Sequence, residues 1–187
     1  GGRPGHGKTT FMINMLSRVL DQGYKAMFFS RELPNSELLK KIICLESGKL
    51  SYGMVRKNIF QEKDLEEIER ILKVIKVKYG KDKFLMFDNL RDFSLSASEN
   101  RAIEHREKDV PKLSDLAESG AIEQVAENVF FTFYGHKAKQ SASENRLTIS
   151  AGKVRYGNTG KIHLGYMGDK CKVYNSEKEV MDEEIPF

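Results

Sequence analysis

The stretch Gly2–Thr9 reads GRPGHGKT and fits the pattern G-x-x-x-x-G-K-[ST] without departure. The first and sixth positions are glycines, which let the backbone turn so that successive N–H groups point at the phosphates of a nucleotide. Lys8 adds a positive charge between the β- and γ-phosphates, and the Thr9 hydroxyl is a ligand for Mg²⁺. The alternative is a glycine-rich turn with a lysine nearby. The predicted nucleotide-binding residues are Gly2, Arg3, Pro4, Gly5, His6, Gly7, Lys8, Thr9 and Thr10, although His6 occupies a free position of the motif.

Outward from this loop, helical and strand-like apolar patterns alternate along the chain. Helical spacing connects Met12, Met15, Leu16, Val19 and Leu20, then Leu38, Leu39, Ile42 and Ile43 (capped by Asn35 or Ser36 and ending at Gly48), then Leu65, Ile68, Ile71, Leu72 and Ile75. Strands are predicted at Lys25–Ser30, Phe84–Phe87 and Val129–Phe133, with a late β region at Leu147–Ser150 and Lys161–Tyr166. Methionine and aromatic positions are interpreted as core. The alternation predicts an α/β fold with a mostly parallel sheet flanked by helices.

Two acidic residues follow predicted strands. Asp88 ends the FLMF strand, where a phosphate-loop protein places its second Mg²⁺ ligand. Glu32 follows the KAMFFS strand, at the edge where α/β sheets bind ligands, and is a candidate for activating the attacking water. The alternatives are an ordinary strand-end aspartate and a first-turn helix acid before Pro34.

Composition excludes several classes of protein. With 40% hydrophobic and 31% charged residues, the chain of 187 residues is neither disordered nor fibrous. No apolar run approaches the roughly 20 residues that span a bilayer. Cys44 and Cys171 lack metal-ligand spacing and favour a reducing cytoplasm, although they leave a single disulfide open. The residues before Ser176 carry a net charge of +8 and suit a polyanionic partner, or serve only solubility.

Four blocks of sequence resemble one family. GRPGHGKT with FFSRELP is similar to a phosphate loop followed by a strand ending in Ser-x-Glu-Met/Leu-Pro, and FLMFDNL resembles the second Walker segment. PKLSDLAESGAIEQ (Pro111–Gln124) resembles the segment SDLRESGAIEQ, and GKVRYGNTGKIHL from Gly152 is similar to KQRNGPTG. The chain thus resembles the RecA-like ATPase core of the DnaB-family replicative DNA helicases, of bacterial or phage type.

The resemblance implies a function and a set of roles. It implies a homohexameric ring in a bacterial or phage-infected cytoplasm that uses Mg²⁺ and ATP to translocate on single-stranded DNA, with a primase or helicase loader as further partners. It makes Glu32 the residue that activates water and Asp88 the Mg²⁺ ligand beside Thr9. Lys153 and Arg155 would reach the ATP of the neighbouring subunit, and Glu118, Ser119 and Gly120 would lie in the DNA-binding loop. Residues 1–175 would form the motor domain and residues 176–187 an acidic tail.

The chain departs from the family pattern at several points. Ala117 stands where the family has an arginine on the DNA backbone, and Leu95–Arg101 lacks the glutamine that senses the γ-phosphate. A phosphate loop normally follows a buried strand, and because this sequence starts at the loop we expect a fragment or a chain with segments left out, or alternatively a shortened relative. Only five residues separate Asp88 from Ser94, fewer than a parallel crossover needs, so we expect breaks or unusual pairing near Leu90–Ser96.

Two other functions are considered beside the helicase motor. One alternative is a nucleotide-binding ring-assembly module without effective unwinding. A small-molecule kinase with the same loop is disfavoured, since it would not need SDLAESGAIEQ or the Lys153–Arg155 pair. The terminal MDEEIPF resembles the docking tip of single-stranded DNA-binding proteins, or is simply a solvated acidic end.

Overall fold

The structure, a computed structural model, describes residues 2, 5–30, 33–80, 82–88, 110–113 and 126–184. These residues fall into two compact units. The helical unit comprises the described parts of Thr9–Ser94 with Gly168–Lys172, and the sheet unit comprises the described parts of Gly1–Lys8, Leu95–Met167 and Val173–Phe187. Within the described ranges, no helix is both long and apolar enough to cross a bilayer.

The helical unit is built around a parallel pair of strands. Its elements are, in order, α1 (Lys8–Asp21), β1 (Ala26–Ser30), α2 (Asn35–Ser47), α3 (Tyr52–Lys57), α4 (Glu62–Lys78) and β2 (Phe84–Asp88). Strands β1 and β2 pair in parallel, with Ala26 opposite Phe84 and Ser30 opposite Asp88. Three helices connect them, which gives the long crossover that parallel pairing needs. The predicted strands at KAMFFS and FLMF are confirmed.

Helix α1 buries a different face from the predicted one. Leu16 and Leu20 pack with Ala26 and Phe28 of β1. Met12 and Met15, however, are 51% and 47% exposed. The buried face of the helix is made of Thr10, Ile13, Asn14, Leu16, Ser17 and Leu20. The interpretation of methionine and aromatic positions as core is wrong here, and it is also wrong at the exposed Tyr24, Met27, Phe130, Tyr156 and Met181.

Hydrogen bonds explain why polar side chains replace methionine on that face. The Asn14 side-chain amide donates to the carbonyl oxygens of Thr10 and Cys171, at 2.8 and 2.9 Å. The Ser17 hydroxyl donates to a Glu46 carboxylate oxygen at 3.0 Å. A buried polar group with partners costs little, so these residues can occupy the core face.

For helix α2, the predicted C-terminal end is correct and the predicted N-terminal cap is wrong. The helix ends at Gly48, as predicted, where the backbone turns at φ +67°. The predicted cap by Asn35 or Ser36 is wrong, because the N-cap residue is Pro34 and no side chain caps the helix.

Helix α3, which Ser51 caps by accepting the Met54 N–H, was not predicted. The core of the unit is formed by Ile13, Leu38, Ile42, Cys44, Leu50, Val55, Ile71 and Cys171.

The sheet unit contains the late β region that the sequence predicts. Its elements are, in order, β3 (Asn128–Tyr134), α5 (Gly135–Ala138), β4 (Arg146–Val154), β5 (Gly160–Met167), β6 (Lys172–Tyr174) and α6 (Glu177–Glu184). The strands lie in the order β3-β4-β5-β6, and β4 is antiparallel to both β3 and β5. Strand β3 is irregular between Val129 and Phe130. The predicted mostly parallel sheet stays a prediction, and Leu90–Ser96 lies outside the described residues.

The acidic C-terminal segment contains a helix that packs on the sheet unit. Val180 of α6 is fully buried with Met167 and Tyr174. Gly165 of β5 permits this approach, since an added Cβ would lie 2.7 Å from a Val180 methyl carbon. Arg146 Nε donates to a Glu177 carboxylate oxygen at 2.6 Å, so the two side chains form an ion pair. The acidic segment is therefore attached to the sheet through α6, and residues 185–187 lie outside the described part.

Candidate nucleotide-binding site

The phosphate loop has the backbone conformation that its glycines permit. Gly2, Gly5 and Gly7 have φ angles of +147°, +75° and +78°, which side-chain-bearing residues rarely adopt. The loop leads directly into α1, whose first turn contains no acidic residue. The positive end of the helix dipole is therefore available to an anion at the loop.

Strand β3 supports the loop from beneath. A Cβ at Gly2 would lie 2.6 Å from the Thr132 hydroxyl and 2.8 Å from the Thr132 carbonyl oxygen, so only glycine fits. At Gly7, a Cβ would lie 3.1 Å from a Leu147 methyl carbon. Close packing against the sheet thus fixes both motif glycines.

His6 anchors the loop to the same strand. Its side chain is 5% exposed, and Nδ1 accepts a 3.1 Å hydrogen bond from the Tyr134 backbone N–H. Its ring lies 5.4 Å from the Phe133 ring, centroid to centroid. The side chain at this free position of the motif therefore supports the fold of the loop, although His6 was predicted among the nucleotide-binding residues.

Lys8 and the two threonines begin helix α1. Lys8 Nζ donates a 2.6 Å hydrogen bond to the Gly2 carbonyl oxygen, and this bond links the two ends of the loop. Thr10 is 4% exposed, whereas Thr9 is only half-buried. Of the two threonines, Thr9 is the more accessible residue, and its role as the Mg²⁺ ligand stays a prediction.

The loop has the features that a chain of phosphates requires. Gly2, Gly5 and Gly7 combine positive φ angles with the absence of a side chain, and Gly5 is exposed. The Thr132 hydroxyl beside Gly2 is buried and has no hydrogen-bond partner among the described residues. An unpaired buried hydroxyl is costly and is expected where a ligand completes the site. These residues fit a nucleotide.

The predicted acidic residues belong to the end of the parallel strands. Asp88 is the last residue of β2 and lies opposite Ser30, the last residue of β1. The Leu33 N–H donates to the Ser30 hydroxyl at 3.3 Å, which holds the turn after β1. Glu32 itself lies outside the described residues. The register therefore brings the backbone of Asp88 beside the end of the strand that leads to Glu32.

Lys153 and Arg155 lie at the end of β4, in a segment that we name the basic arm, Lys153–Tyr156. Lys153 pairs with Val129 in the sheet. The Arg155 N–H donates to the Asn128 side-chain oxygen at 3.3 Å, and its guanidinium forms an ion pair with Glu127. The guanidinium also lies 5.5 Å from the centre of the Tyr156 ring. Arg155 and Glu127 are 55% and 57% exposed, so the arm presents its charge at the surface.

The other predicted site residues are outside the described part of the chain. They are Arg3, Pro4, Glu118, Ser119 and Gly120. Conversely, the structure adds Thr132 and Lys137 to the loop environment. An added Cβ at Gly5 would overlap Lys137 Nζ and lie 3.2 Å from its Cε. No local motif marks these two residues, which are more than 120 positions from the loop, so only the pairing of the strands shows that they matter.

Comparison with known proteins extends over most of the chain. A sequence profile of the family described as DnaB-like helicase C terminal domain matches residues 1–90 and 94–175. Residues 91–93 are not matched, and the expectation of breaks or unusual pairing near Leu90–Ser96 stays a prediction.

Individual relatives are replicative helicases of bacteria. The chain is 24% identical to the replicative DNA helicase DnaB of Mycoplasma pneumoniae over 254 residues, covering 94% of this chain and 52% of that protein. It is 25% identical to the DnaB of Helicobacter pylori, covering 99% of this chain and 49% of that protein. A shorter match to the DnaB of Geobacillus stearothermophilus is 33% identical and covers 46% of this chain and 19% of that protein. The chain thus spans about half the length of the relatives that it matches from end to end.

Solved structures support the fold. An ATPase domain of known structure matches with a TM-score of 0.77 at 17% identity, over 93% of this chain and 82% of that one. A DnaB-like replicative helicase, studied with its interactions with primase, matches with the same TM-score and identity, over 92% of this chain and 55% of that one. The predicted RecA-like α/β fold is confirmed.

Proposed function

Since this chain belongs to the family of DnaB-like helicase C-terminal domains, we propose that it is the ATP-hydrolysing motor of a replicative DNA helicase. Residues 1–175 would form the motor domain and residues 176–187 its acidic tail. The observation that carries the proposal is the phosphate loop, whose glycines adopt positive φ angles and which β3 supports through Thr132 at Gly2 and Tyr134 at His6. Nucleotide binding is the activity for which this arrangement is suited.

The loop and the strand ends of one chain would form the part of the active site that binds the nucleotide, Mg²⁺ and the attacking water. The backbone N–H groups of Gly2–Thr10, except at Pro4, and the Lys8 ammonium would bind the phosphates. Mg²⁺, when bound, neutralises charge on the β- and γ-phosphates, and Thr9 and Asp88 would hold it. Glu32 orients the water that attacks the γ-phosphorus, and ADP and phosphate leave. The register of β1 and β2, which aligns Ser30 with Asp88, supports this assignment.

The basic arm supplies the other half of the site to a neighbouring copy. Arg155 is exposed on the surface of its own chain, where an adjacent subunit can reach it. In a ring, Arg155 and Lys153 would add positive charge to the γ-phosphate of the neighbour's ATP. Such an arginine contributes on the order of 10³–10⁵ in rate in other NTPases. Hydrolysis would therefore depend on assembly, and we propose a homohexamer.

Single-stranded DNA is the polymer on which this motor would move. The loop containing Glu118, Ser119 and Gly120 would hold the strand. The net charge of +8 on the residues before Ser176 supports a polyanionic partner. A primase and a helicase loader are the proposed protein partners, in the cytoplasm of a bacterium or an infected cell.

ATP hydrolysis with and without single-stranded DNA tests the proposal. The parent chain should hydrolyse ATP faster with DNA, and both Lys8→Ala and Glu32→Ala should abolish turnover. Lys161→Ala, which removes an exposed lysine of β5, is the matched control and should leave turnover unchanged.

The two substitutions should differ in binding. Lys8→Ala should lose ATP affinity, whereas Glu32→Ala should keep it, because Glu32 acts on water. ATP binding without any DNA-stimulated turnover would instead favour a ring-assembly module, and a phosphorylated small-molecule product would favour a kinase.

A further inference from the structure

A second lysine lies at the phosphate loop. Lys137 belongs to α5, and its Nζ occupies the space where a side chain at Gly5 would begin. Its Cε and Cδ follow at 3.2 and 3.4 Å from that position. Gly5 is exposed, so the ammonium lies over the open side of the loop. Lys8 approaches the same loop from the start of α1 and bonds to the Gly2 carbonyl oxygen.

The position of Lys137 is fixed relative to the loop. Strand β3 contacts the loop through Thr132 at Gly2 and through Tyr134 at His6, and α5 follows β3 without a linker. The turn is closed by the Lys139 N–H, which donates to the Gly135 carbonyl oxygen at 2.8 Å. It is also braced by a 2.9 Å hydrogen bond between the His136 ring and the Ala142 carbonyl oxygen. The strand that supports the loop therefore leads directly into the helix that carries Lys137.

The chemistry of the surroundings indicates an anionic ligand. Lys8 and Lys137 each place an ammonium group at this loop, and positive charge there attracts a negatively charged ligand. The buried Thr132 hydroxyl, which lies beside Gly2, has no partner among the described residues and is a further hydrogen-bond donor. A lysine ammonium, with three rotatable donors, suits phosphate oxygens.

We propose that Lys137 is a second phosphate-binding residue of the same subunit, which contacts the β- and γ-phosphates of the nucleotide at Gly5. Because the electrostatic attraction grows with the charge of the ligand, Lys137 favours ATP over ADP and has no effect on AMP. This inference rests on the proposed nucleotide binding of the loop.

Equilibrium binding of fluorescent ATP, ADP and AMP to the whole chain tests the role of Lys137. Lys137→Met removes the charge and keeps an unbranched side chain. We expect ATP to bind on the order of tenfold more weakly, ADP to lose less and AMP nothing. Lys137→Arg should restore most of the affinity. Lys139→Met, on the same turn and also exposed, is the matched control and should bind all three nucleotides like the parent.

Other results would overturn the inference in recognisable ways. Equal ATP affinity of Lys137→Met and the parent would mean that Lys137 only covers the loop. Tighter binding by Lys137→Met would mean that the lysine competes with the nucleotide for the loop. Unchanged thermal melting without nucleotide keeps these outcomes apart from misfolding. A parent chain that binds no ATP would refute the proposed function as well, whereas parent binding without a Lys137 effect refutes this inference alone.

Discussion

The phosphate loop is held by buried contacts, whereas the basic arm is held at the surface. The loop rests on Thr132 at Gly2 and on the 5% exposed His6. The charge of Arg155, by contrast, is paired only with the exposed Glu127 and lies beside Tyr156 in the described structure. An exposed ion pair contributes at most about 1 kcal/mol and exchanges partners readily. The loop that we propose to bind nucleotide is therefore preorganised, while the arm that we propose to serve a neighbouring subunit can exchange its ion-pair partner.

The largest effect should come from Arg155→Ala, and it should appear only in the assembled protein. We expect DNA-stimulated turnover to fall by on the order of 10³, while the ATP affinity of the chain stays unchanged. Steady-state hydrolysis and nucleotide titration measure the two quantities. Arg146→Ala is the control, because Arg146 lies in β4 and, like Arg155, is a half-exposed arginine paired with a glutamate, here Glu177.

Mixing variants sharpens the same test. Subunits carrying Lys8→Ala and subunits carrying Arg155→Ala should both be inactive alone. A mixed ring contains some interfaces with an intact loop and an intact arginine, so the mixture should recover part of the activity. A mixture as inactive as its components would contradict a role for Arg155 across the interface.

Gly2→Ala should have the next largest effect, on the loop side of the comparison. The added methyl group would meet the Thr132 carbonyl oxygen at 2.8 Å, at a φ of +147°. We expect a loss of about 2–3 kcal/mol in the free energy of unfolding and ATP binding weaker by more than about 100-fold.

Two other glycines separate strain from crowding in that experiment. Gly23→Ala changes a residue with φ +84° and open space around it, and should cost about 1 kcal/mol without affecting ATP. Gly160 has no positive φ, and no atom of the described residues lies within 4 Å of a Cβ added there, so Gly160→Ala should be neutral. Gly2→Ala with the affinity of the parent would show that the close contact with β3 does not shape the loop.

His6→Ala should produce an intermediate effect. It removes a buried ring beside Phe133 and leaves the Tyr134 N–H without its acceptor. We expect the free energy of unfolding to fall by about 2 kcal/mol and ATP affinity to fall roughly tenfold. His6→Asn, whose side-chain oxygen can accept the same hydrogen bond, should recover part of both losses. If stability fell while affinity did not, His6 would support the fold of the unit without shaping the loop.

The contrast between loop and arm also explains what the sequence could predict. Gly2, Gly7 and Lys8 form a local motif whose spacing encodes the loop conformation, and the apolar runs of β1 to β5 mark strands by themselves. The roles of His6 and Lys137 depend on contacts with residues more than 120 positions away, which spacing does not reveal. The basic arm was assigned by resemblance, since Lys153 and Arg155 alone resemble any exposed basic strand.

The prediction of the buried face of helix α1 was wrong for a related reason. The pattern Met12, Met15, Leu16 predicts one buried stripe, but the actual face includes Asn14 and Ser17. Their burial depends on acceptors supplied by Cys171 and Glu46, from other elements. A count of apolar residues weighs methionine above asparagine and cannot include a partner that only the fold provides.

The ion pair between Arg146 and Glu177 gives a smaller, pH-dependent effect. Burial raises the pKa of Glu177, but hydrogen bonds from Ser143 and Arg146 outweigh it and leave the pKa below its usual value. A carboxylate with a lowered pKa in the folded state stabilises the fold above its unfolded pKa, near 4.5, and loses that contribution as the pH falls through the folded value. Arg146→Ala should therefore cost up to about 1 kcal/mol at neutral pH, and less in acid. Denaturant unfolding of both chains at neutral pH and at about pH 3 measures the change, and a cost that grows on acidification would contradict the assignment.

Glu127→Gln should have the smallest effect and addresses the arm directly. The change keeps the shape of the side chain and removes the charge that pairs with Arg155, while Asn128 still accepts the Arg155 N–H. We expect the free energy of unfolding to change by less than about 0.5 kcal/mol and single-chain ATP affinity to stay constant. Turnover of the ring should stay the same or rise slightly, because Glu127 no longer competes with the neighbour's phosphates for the guanidinium. A fall in turnover as large as that of Arg155→Ala would instead mean that Glu127 is needed to orient the Arg155 guanidinium, and that the arm is as preorganised as the loop.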